Sequence, residues 1–546
     1  MPITLLAEKN YLRLSAALFA VLAAVMALTI RDYGVIWDEP GIYNYGKLAF
    51  RYYASGLREI PQGAVMNLYG ASFELPVTMA IRLLPWPEYI VRHVVNAGVG
   101  LLGIWGTCKT ATLIAGPGAG FWAALLLALT PCYYGHMFNN PKDLPFAAGH
   151  IWTLYFLLRY ARTLPRPPLS VMMELGLSIG WTSGVRVGGL MLLGYLVLVW
   201  LVHAIRTGNR RIGATLAIAG IGCLTMLVFW PYAQRHPLTW PFQTLWSFTH
   251  ANEIAPIMVP FKGKIINGSN LPWEYVPWHL FINLPEIILV LLAGGMVAVI
   301  RAAVRPGRIR IDKGWAGMVG LVAMTAVLPV LLVIFLRPPI YNGLRHLLFV
   351  IPPVACMAGI VLNRWVALIG NRGGPVAWAA GAAFAAYLGW HVSIMVRLHP
   401  MQYIYYNQVV GGFRGGGDYE LDYWGNSYPE AIRILVKQLN EREGPRWPML
   451  RYRVYACGAM DALAAELPDS FVMTDSPLKA DFYFGIMGGE CRGWDWGKLV
   501  VQVTRFGMPL SYVRDNRTRV KIDRRPSRLK RELIEKSKAG GAPTIF

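Results

Sequence analysis

The chain has 546 residues, of which 55% are hydrophobic and only 15% are charged, and its mean hydropathy is positive. This composition excludes an ordinary soluble protein. The formal net charge is +22, but the basic residues stand in short clusters between apolar runs. Because no zinc spacing or aromatic-basic module accompanies them, we predict no nucleic-acid binding. Six cysteines in so long a chain do not make a disulfide scaffold.

About eleven apolar runs approach the roughly 20 residues that a helix needs to cross a bilayer. No small-residue cleavage site follows the first run, LSAALFAVLAAVMALTI, so we interpret it as a retained span rather than a signal peptide. The sequence therefore predicts a polytopic α-helical membrane protein. The predicted spans lie near residues 13–30, 88–107, 111–133, 146–162, 169–185, 187–205, 211–230, 280–300, 315–336, 346–363 and 376–396.

The charges of the loops orient these spans. If the amino terminus is cytoplasmic, the loops on that side include RYARTLPRPP, RTGNRR, RAAVRPGRIRIDK and NRWVALIGNRGG, which are rich in Lys and Arg. The positive-inside rule requires this arrangement. We therefore predict a protein of the bacterial inner (plasma) membrane, in contact with membrane lipid, whose long carboxy-terminal segment lies in the periplasm or outside the cell.

The segment after the last span alternates strand-like runs such as YRVYAC with helix-like stretches such as SYPEAIRILVKQLNER. This alternation predicts a small extracytoplasmic α/β domain. The predicted division is a transmembrane domain over 1–397, the α/β domain over 398–520 and a basic polar tail over 521–546. Cys457 and Cys491 both lie in the α/β domain, where oxidation can occur. We predict a disulfide between them, with two buried free thiols as the alternative.

Polar residues collect in the loops that are predicted to lie outside the cytoplasm. Two adjacent carboxylates, Asp38 and Glu39, follow the first span in the stretch GVIWDEPGIYNYGKL. The ordinary explanation would be that one acid caps a helix and the other is solvated. However, placing an ionisable group near membrane depth costs free energy, and such groups are retained mainly where they have a function. A carboxylate base beside several cations fits transfer of a group from a phosphate to a hydroxyl. The other outer loops supply His136, Asn139, Asn140, Lys142, Asp143, Arg186, Arg345 and His346.

These features resemble the GT-C class of membrane glycosyltransferases, specifically the family 39-like relatives of protein O-mannosyltransferases and of the lipid A aminoarabinose transferase. The resemblance rests on WDEP after the first span, on the second acidic outer loop, NNPKDLPF, and on HPMQYIYYNQVVGGFRGGGDYELDYWGNSYPEA over residues 399–431. It implies a GT-C-like fold, a polyprenyl-phosphate-linked sugar donor, and inverting transfer to the hydroxyl of a glycan, lipid or protein acceptor.

The resemblance also implies roles for single residues. Asp38 looks like the catalytic carboxylate of the first loop, the general base, and Glu39 looks like a neighbour that orients Asp38 or the acceptor. Asp143 looks like the acid of the second loop, which binds sugar hydroxyls or the acceptor. The residues expected to hold the donor phosphate are Arg345, Lys142, Arg186 and His346. The residues expected to contact substrate are Tyr43, His136 and Asn140.

No cofactor is expected, because cations beside a monophosphate donor reduce the need for a metal ion. No His/Cys cluster has the spacing of a zinc site, and a divalent cation on the leaving group is the alternative. A transporter or flippase of lipid-linked sugars is the alternative function, but it would place charges at the middle of spans. The aromatic stretches WPFQTLW and LPWEYVPWHL are typical of aromatic residues that lie at the membrane–water interface. The alternative is a surface on which sugar rings stack.

Overall fold

The computed structural model describes residues 8–58, 66–250, 257–304, 312–371, 373–488, 491 and 496–517. These residues divide into two units. The helical unit comprises residues 8–33, 41–250 and 269–416, and the mixed unit comprises residues 34–40, 257–268 and 417–517, apart from the gaps. The predicted polar tail, residues 521–546, lies outside the described residues.

The helical unit contains helices almost throughout. The polar turn around Asp38 leads into α2, whose first two residues belong to the mixed unit. The helices in chain order are α1 (Glu8–Thr29), α2 (Glu39–Ala54), α3 (Glu74–Leu83), α4 (Glu88–Ala128), α5 (Pro131–Asn139), α6 (Asp143–Thr163), α7 (Leu169–Val185), α8 (Met191–Thr207), α9 (Gly213–Val228), α10 (Pro231–Arg235), α11 (Trp240–His250), α12 (Tyr275–Asn283), α13 (Glu286–Val304), α14 (Lys313–Leu336), α15 (Ile351–Gly370), α16 (Gly374–Leu398) and α17 (Gly412–Gly415).

The prediction of a polytopic helical membrane protein is confirmed. Seven helical segments in the described ranges are long and apolar enough to cross a membrane. The remaining predicted spans fall on α6, α7 and α9, so the number of crossings stays a prediction. The seven segments are Glu8–Asp32, Glu88–Ala128, Val187–Thr207, Glu286–Val304, Lys313–Leu336, Arg345–Gly370 and Gly374–Leu398.

Helix α4 accounts for two of the predicted spans. It has 41 residues, about twice the roughly 20 residues of a single crossing. Its backbone leaves the helical region at Ala115 and Gly116, immediately before Pro117. Proline lacks an N–H and clashes with the preceding turn, so it bends or breaks a helix. The sequence predicts two spans, over 88–107 and 111–133, whereas the structure has one long helix, Glu88–Ala128, with a break inside the second predicted span.

Small residues let α4 and α15 approach closely. A Cβ on Gly359 would lie 2.5 Å from the backbone nitrogen of Ala123, and Ala119, Cys356 and Ile360 share the same buried cluster. Such contacts are usual between membrane helices, because lipid offers little hydrophobic driving force and close packing must supply the attraction. The short 3-10 helix Arg345–Val350 leads directly into α15 and packs against α6.

The mixed unit has a five-stranded sheet and a separate hairpin, which confirms the prediction of a small α/β region. The sheet order is β4-β3-β5-β7-β6. Strand β3 is parallel to both β4 and β5, whereas β7 is antiparallel to both β5 and β6. The elements are the hairpin β1 (Met258–Phe261) and β2 (Lys264–Asn267), then α18 (Tyr428–Glu443), β3 (Tyr452–Cys457), α19 (Met460–Glu466), β4 (Phe471–Met473), β5 (Phe482–Ile486), β6 (Lys498–Arg505) and β7 (Met508–Asp515).

The two units follow a different division of the chain from the predicted one. The helical unit extends to Gly416, beyond the predicted boundary at 397, and the mixed unit includes Gly34–Pro40 and the hairpin residues 257–268. The reason is long-range hydrogen bonding: the Gly34 amide donates to Asn426 and the Trp37 amide donates to the Trp424 carbonyl.

Cys457, at the end of β3, is bonded to Cys491, and the two Cα atoms are 5.6 Å apart. The bond closes a loop with a sequence separation of 34. In the described residues the other cysteines, Cys108, Cys132, Cys223 and Cys356, are free.

Replacing both bonded cysteines, by Cys457→Ser with Cys491→Ser, should lower the free energy of unfolding of the mixed unit by about 3–4 kcal/mol, because a loop of this length is no longer closed in the unfolded chain. Thermal unfolding of the full chain in detergent measures the loss. The control is Cys223→Ser, which removes an exposed free thiol and should leave the transition unchanged. Alkylation of six thiols in unreduced, denatured protein would contradict the bond.

Candidate active site

The side chain of Asn140 organises the turn between α5 and α6. Its Oδ1 accepts hydrogen bonds from the amides of Lys142 (3.2 Å) and Asp143 (3.0 Å). The first amides of a helix have no partner within the helix, and an asparagine oxygen placed before the helix satisfies them. Its Nδ2 lies 2.8 Å from His136 Nδ1 and 3.1 Å from Asp143 Oδ2. The sequence NNPKD thus forms a turn that fixes the Asp143 carboxylate.

Asp143 is paired with two arginines from distant parts of the helical unit. Arg186 Nη2 lies 2.8 Å from Oδ1, and Arg345 Nε lies 3.0 Å from Oδ2. Arg186 ends α7, and Arg345 begins the 3-10 helix before α15. Burial alone would raise the pKa of the Asp143 carboxyl, but Arg186 and Arg345 outweigh burial and hold the pKa below its usual range. The carboxylate therefore stays ionised between the two guanidinium groups.

Three cations surround this one carboxylate. Lys142 precedes Asp143, and it also lowers the pKa of the Asp143 carboxyl. The Tyr69 ring lies 5.2 Å from Lys142 Nζ and 5.9 Å from the Arg186 guanidinium carbon. We call Lys142, Asp143, Arg186 and Arg345 the cation cluster. It carries more positive than negative charge in a largely buried position, and such an excess favours binding of an anion.

Two histidines border the cation cluster. Burial lowers the pKa of His136 to about 3; the Asp143 carboxylate acts in the opposite direction, and Arg345 lowers this pKa further. The His136 imidazole is therefore neutral at neutral pH, which agrees with a ring nitrogen that accepts from the Asn140 amide. His346 follows Arg345 and packs edge-on against Tyr341, with ring centroids 4.6 Å apart.

A second buried ion pair, which the sequence analysis missed, joins α3 and α4. Arg92 donates from Nη1 and Nη2 to the two carboxylate oxygens of Glu74, at 2.8 and 3.0 Å, and both residues are almost fully buried. The Tyr43 ring on α2 lies 5.2 Å from the Arg92 guanidinium and 4.4 Å from Lys47 Nζ. Tyr43, a predicted substrate contact, is thus packed beside this ion pair. Each residue is a single charge near a helix start next to an apolar run, and this pattern does not show that the two are paired.

Hydrogen bonds lead from the cation cluster to Asn96 on α4, one helical turn from Arg92. Arg92 and Asn96 lie one turn apart on α4, and Asn96 Nδ2 lies 3.1 Å from the Met137 carbonyl and 3.4 Å from the His136 carbonyl. His136 in turn contacts Asn140, which holds Asp143. These bonds link the turn that holds Asp143 to α4, the helix that carries Arg92.

The acid pair Asp38 and Glu39 lies in the mixed unit. Glu39 is buried, and its Oε2 accepts from the Ile36 amide at 3.1 Å. The half-buried Asp38 occupies the turn just before α2. The preceding residues are held by main-chain and side-chain hydrogen bonds: the Gly34 amide donates to Asn426 at 2.9 Å, and the Val35 amide donates to Glu466 at 2.8 Å.

Two stretches that carry the sequence resemblance therefore meet in the mixed unit, the residues before WDEP and the segment 422–427. Asp422 is buried and accepts from the amides of Trp424, Asn426 and Ser427. A Cβ at Gly34 would collide with the Pro429 ring. Gly34 and the turn whose amides donate to Asp422 together fix the backbone that leads to Asp38.

The structure brings most of the predicted site residues together in the helical unit, and it describes the others in the mixed unit. The predicted residues in the helical unit are Tyr43, His136, Asn140, Lys142, Asp143, Arg186, Arg345 and His346. The predicted residues in the mixed unit are Asp38, Glu39, Cys457 and Cys491.

Within the described ranges, no group of three or more His, Cys, Asp or Glu side chains is placed to hold a metal ion. Asp143 itself is surrounded by cations, which would repel a metal ion rather than attract one. Whether the reaction needs a metal remains a prediction of the sequence analysis.

No protein-family model and no curated protein sequence matches the chain. Solved structures that are similar include ArnT from Cupriavidus metallidurans bound to undecaprenyl phosphate, with 15% identity over 91% of this chain and 97% of that chain, and a TM-score of 0.47. Another is the Archaeoglobus fulgidus oligosaccharyltransferase tethered with an acceptor peptide, with 11% identity over 87% of this chain and 65% of that chain, and a TM-score of 0.48.

A third similar structure is the mycobacterial arabinofuranosyltransferase AftD, with 13% identity over 91% of this chain and 41% of that chain, and a TM-score of 0.44. Two of the three names are those of sugar transferases, the kind of enzyme that the sequence resembles.

Glu74→Gln should lower the free energy of unfolding by about 3–5 kcal/mol, because it leaves the Arg92 charge buried without its carboxylate. Thermal or denaturant unfolding in detergent measures this. The matched control is Glu174→Gln, which breaks the partly exposed pair between Arg159 and Glu174 and should cost no more than about 1 kcal/mol. Adding Arg92→Gln to Glu74→Gln should recover part of the loss. If Glu74→Gln and Glu174→Gln lowered the free energy of unfolding equally, the buried pair would contribute no more to stability than the partly exposed pair.

Proposed function

We propose that the protein is a glycosyltransferase that moves a sugar from a polyprenyl-phosphate donor to the hydroxyl of an extracytoplasmic glycan, lipid or protein acceptor, with inversion at the sugar. The observation that carries this proposal is the cation cluster, a largely buried group with more cations than anions, in a body of apolar helices. A lipid-linked phosphate carries a negative charge, which such a cluster attracts, and an apolar chain, which the surrounding helices accept.

In this proposal the donor phosphate binds at Arg345, Arg186 and Lys142. Asp143 holds the two guanidinium groups in place through its ion pairs. Arginine presents its N–H groups in a rigid fork that matches phosphate oxygens, so a fixed pair of arginines gives orientation as well as charge. His346 and the neutral His136 line the same region, where they donate to or accept from polar groups of the donor.

The proposed reaction is a displacement at the anomeric carbon. The acceptor oxygen forms a bond to this carbon as its proton passes to the carboxylate of Asp38, the general base. The bond from the anomeric carbon to the phosphate oxygen breaks, and its electron pair leaves with the polyprenyl phosphate. The role of Asp38 rests on the sequence resemblance and on its half-buried place in the turn before α2.

Glu39 and Asp143 have other roles in the proposal. Glu39 already accepts a hydrogen bond from the Ile36 amide, so it shapes the turn that presents Asp38. The low pKa of Asp143 makes this carboxylate a weak base, since a base must bind the proton that it removes. Asp143 therefore positions the phosphate-binding arginines and contacts the sugar or the acceptor.

The proposal places the mixed unit outside the cytoplasm of a bacterium, with the protein in the inner membrane and its amino terminus cytoplasmic. The basic loops support this orientation, and the bond between Cys457 and Cys491 supports it too, because disulfides persist in oxidising compartments. The proposed site needs no divalent metal, since the cation cluster itself neutralises the leaving phosphate.

Arg345→Ala should weaken binding of the polyprenyl-phosphate donor by about 30-fold or more, because truncating one partner of a buried charged contact costs about 2 kcal/mol or more. Equilibrium binding of radiolabelled polyprenyl phosphate to protein in nanodiscs measures the change. The control is Arg453→Ala, which removes an exposed arginine of the mixed unit and should leave the dissociation constant unchanged. Wild-type affinity in Arg345→Ala would remove this residue from the phosphate site.

Asp38→Asn should abolish sugar transfer and leave donor binding intact, because the amide cannot accept the proton of the acceptor hydroxyl. The assay offers radiolabelled polyprenyl-phosphate sugars and acceptors to the protein in proteoliposomes, and it scores transfer and donor hydrolysis. The matched control is Asp32→Asn, which neutralises an exposed carboxylate paired with His399 and should retain transfer.

Wild-type transfer rates in Asp38→Asn would remove the base assignment. If wild-type protein turned over no donor but moved the labelled lipid across the bilayer, the proposed transferase would be wrong and the flippase would replace it.

A further inference from the structure

Arg345 follows a tight turn in which two successive residues have a positive φ. These are Asn342 and Gly343, with φ of 59° and 61°, and the Arg345 amide donates to the Asn342 carbonyl at 3.2 Å. A positive φ is uncommon for a residue with a side chain, and it persists where surrounding contacts hold the backbone. The position of Arg345 relative to Asp143 therefore depends on what holds this turn.

Tyr275, the first residue of α12, supplies such a contact. Its hydroxyl oxygen accepts a hydrogen bond from the Gly343 amide at 3.0 Å, and the residue is buried. The ring of His279, one turn further along α12, packs against the Tyr275 ring with centroids 4.5 Å apart. A Cβ at Gly343 would lie 3.4 Å from His279 Nδ1. The turn before Arg345 therefore lies directly against these two side chains of α12.

Hydrogen bonds continue from His279 to the segment after the last helix that could span the membrane. His279 Nδ1 lies 3.1 Å from Asn283 Oδ1, and Asn283 Nδ2 donates to the Tyr405 carbonyl at 2.6 Å. Because a carbonyl can only accept, the Asn283 group that faces Tyr405 is the NH2 group, and its oxygen faces the imidazole. His279 Nδ1 therefore carries the proton of this bond, and the bonds tie the end of α12 to Tyr405.

Asn407 closes the carboxy-terminal end of α12. Its main-chain amide donates to the Ile282 carbonyl at 2.8 Å. Its Nδ2 donates to the carbonyls of Phe281 (2.6 Å) and Leu284 (3.0 Å). The last carbonyls of a helix have no partner within the helix, and the bonds from the fully buried Asn407 satisfy them. Helix α12 is thus held at its carboxy-terminal end and contacts the turn at residues 342–343 with its amino-terminal end.

We propose that Tyr275 is a positioning residue for Arg345, and that Asn407 holds α12 in the place from which Tyr275 acts. Asp143 fixes the Arg345 side chain through Nε, and Tyr275 fixes the backbone two residues before it. A binding group orients its ligand only when neighbouring residues hold that group in place. The ligand, a polyprenyl phosphate, is the one named in the proposed function, and the inference rests on that proposal for its identity.

The first test is a double-mutant cycle, measured as equilibrium binding of radiolabelled polyprenyl phosphate to the full chain in nanodiscs. Tyr275→Phe removes the hydroxyl that accepts from Gly343 and should weaken binding about five-fold, because the turn that carries Arg345 is held less firmly. In the Arg345→Ala background the same change should alter binding by less than about two-fold, since no guanidinium remains to be positioned. The matched control is Tyr160→Phe, which removes a buried hydroxyl bonded to Thr215 and should leave binding unchanged.

Equal weakening by Tyr275→Phe in both backgrounds would give Tyr275 a general structural role and overturn the positioning. Wild-type affinity in Tyr275→Phe would overturn it as well, and the proposed function would stand in both cases. If the wild-type protein bound no polyprenyl phosphate, the proposed function would fail, and hydrogen exchange would decide whether Tyr275 holds the turn.

The second test measures hydrogen exchange of the protein without ligand, so its result does not depend on the donor. In Tyr275→Phe, the peptide that covers residues 342–347 should exchange several-fold faster than in wild type, because the Gly343 amide has lost its acceptor. Tyr160→Phe should leave this peptide unchanged, and unchanged exchange of α4 in both variants shows that they fold. Unaltered exchange of the peptide in Tyr275→Phe would overturn the positioning.

The role of Asn407 is tested in the same way. Asn407→Asp carries a carboxylate, which cannot donate to the Phe281 and Leu284 carbonyls. It should therefore speed exchange several-fold both in α12 and in the peptide that covers residues 342–347. The control is Asn209→Asp, in the loop after α8, which should change neither. Faster exchange of α12 alone would show that the turn does not depend on α12 and would overturn the role of Asn407.

Discussion

The pairing of Asp143 with Arg186 and Arg345 is the interaction on which the polar centre of the helical unit depends. It joins the start of α6, the end of α7 and the 3-10 helix before α15. Without a carboxylate between them, two arginines and Lys142 would face one another in a largely buried position, and like charges there repel strongly. Asn140 supports the pairing because it bonds both the Asp143 side chain and the Asp143 amide.

The sequence could predict this centre because its residues lie at the ends of apolar runs. Once the spans were oriented by their basic loops, the stretch NNPKD, Arg186 and Arg345 fell on one predicted side, and the structure brings them into contact. The class of the fold was equally accessible, since long apolar runs and a strand-rich carboxy-terminal segment differ plainly in composition. The break in α4 was not, because Gly116 and Pro117 lie inside the predicted span 111–133 and membrane helices tolerate both residues.

The ion pair of Glu74 and Arg92 could not be predicted from the sequence. Each residue lies at or near the first turn of a helix, Glu74 in α3 and Arg92 in α4, and single charges there are ordinary. Only the packing of α3 on α4 shows that they are buried together. The contact that positions the residues before WDEP could not be predicted for a similar reason, because Gly34 and Asn426, which it joins, are separated by 392 residues along the chain.

The environments of the acids separate their roles. A carboxylate held between two guanidinium groups has a low pKa, and it loses its ability to remove a proton as it gains the ability to orient cations. Asp143 is such a group, whereas Glu74 is bonded to both arms of a single guanidinium, that of Arg92. Glu39 is buried and accepts a main-chain hydrogen bond. Asp38 is half-buried in the turn before α2, and its proposed role as the base rests on the sequence resemblance. The low pKa of Asp143 fits the proposed role of this carboxylate, which is to hold the two arginines.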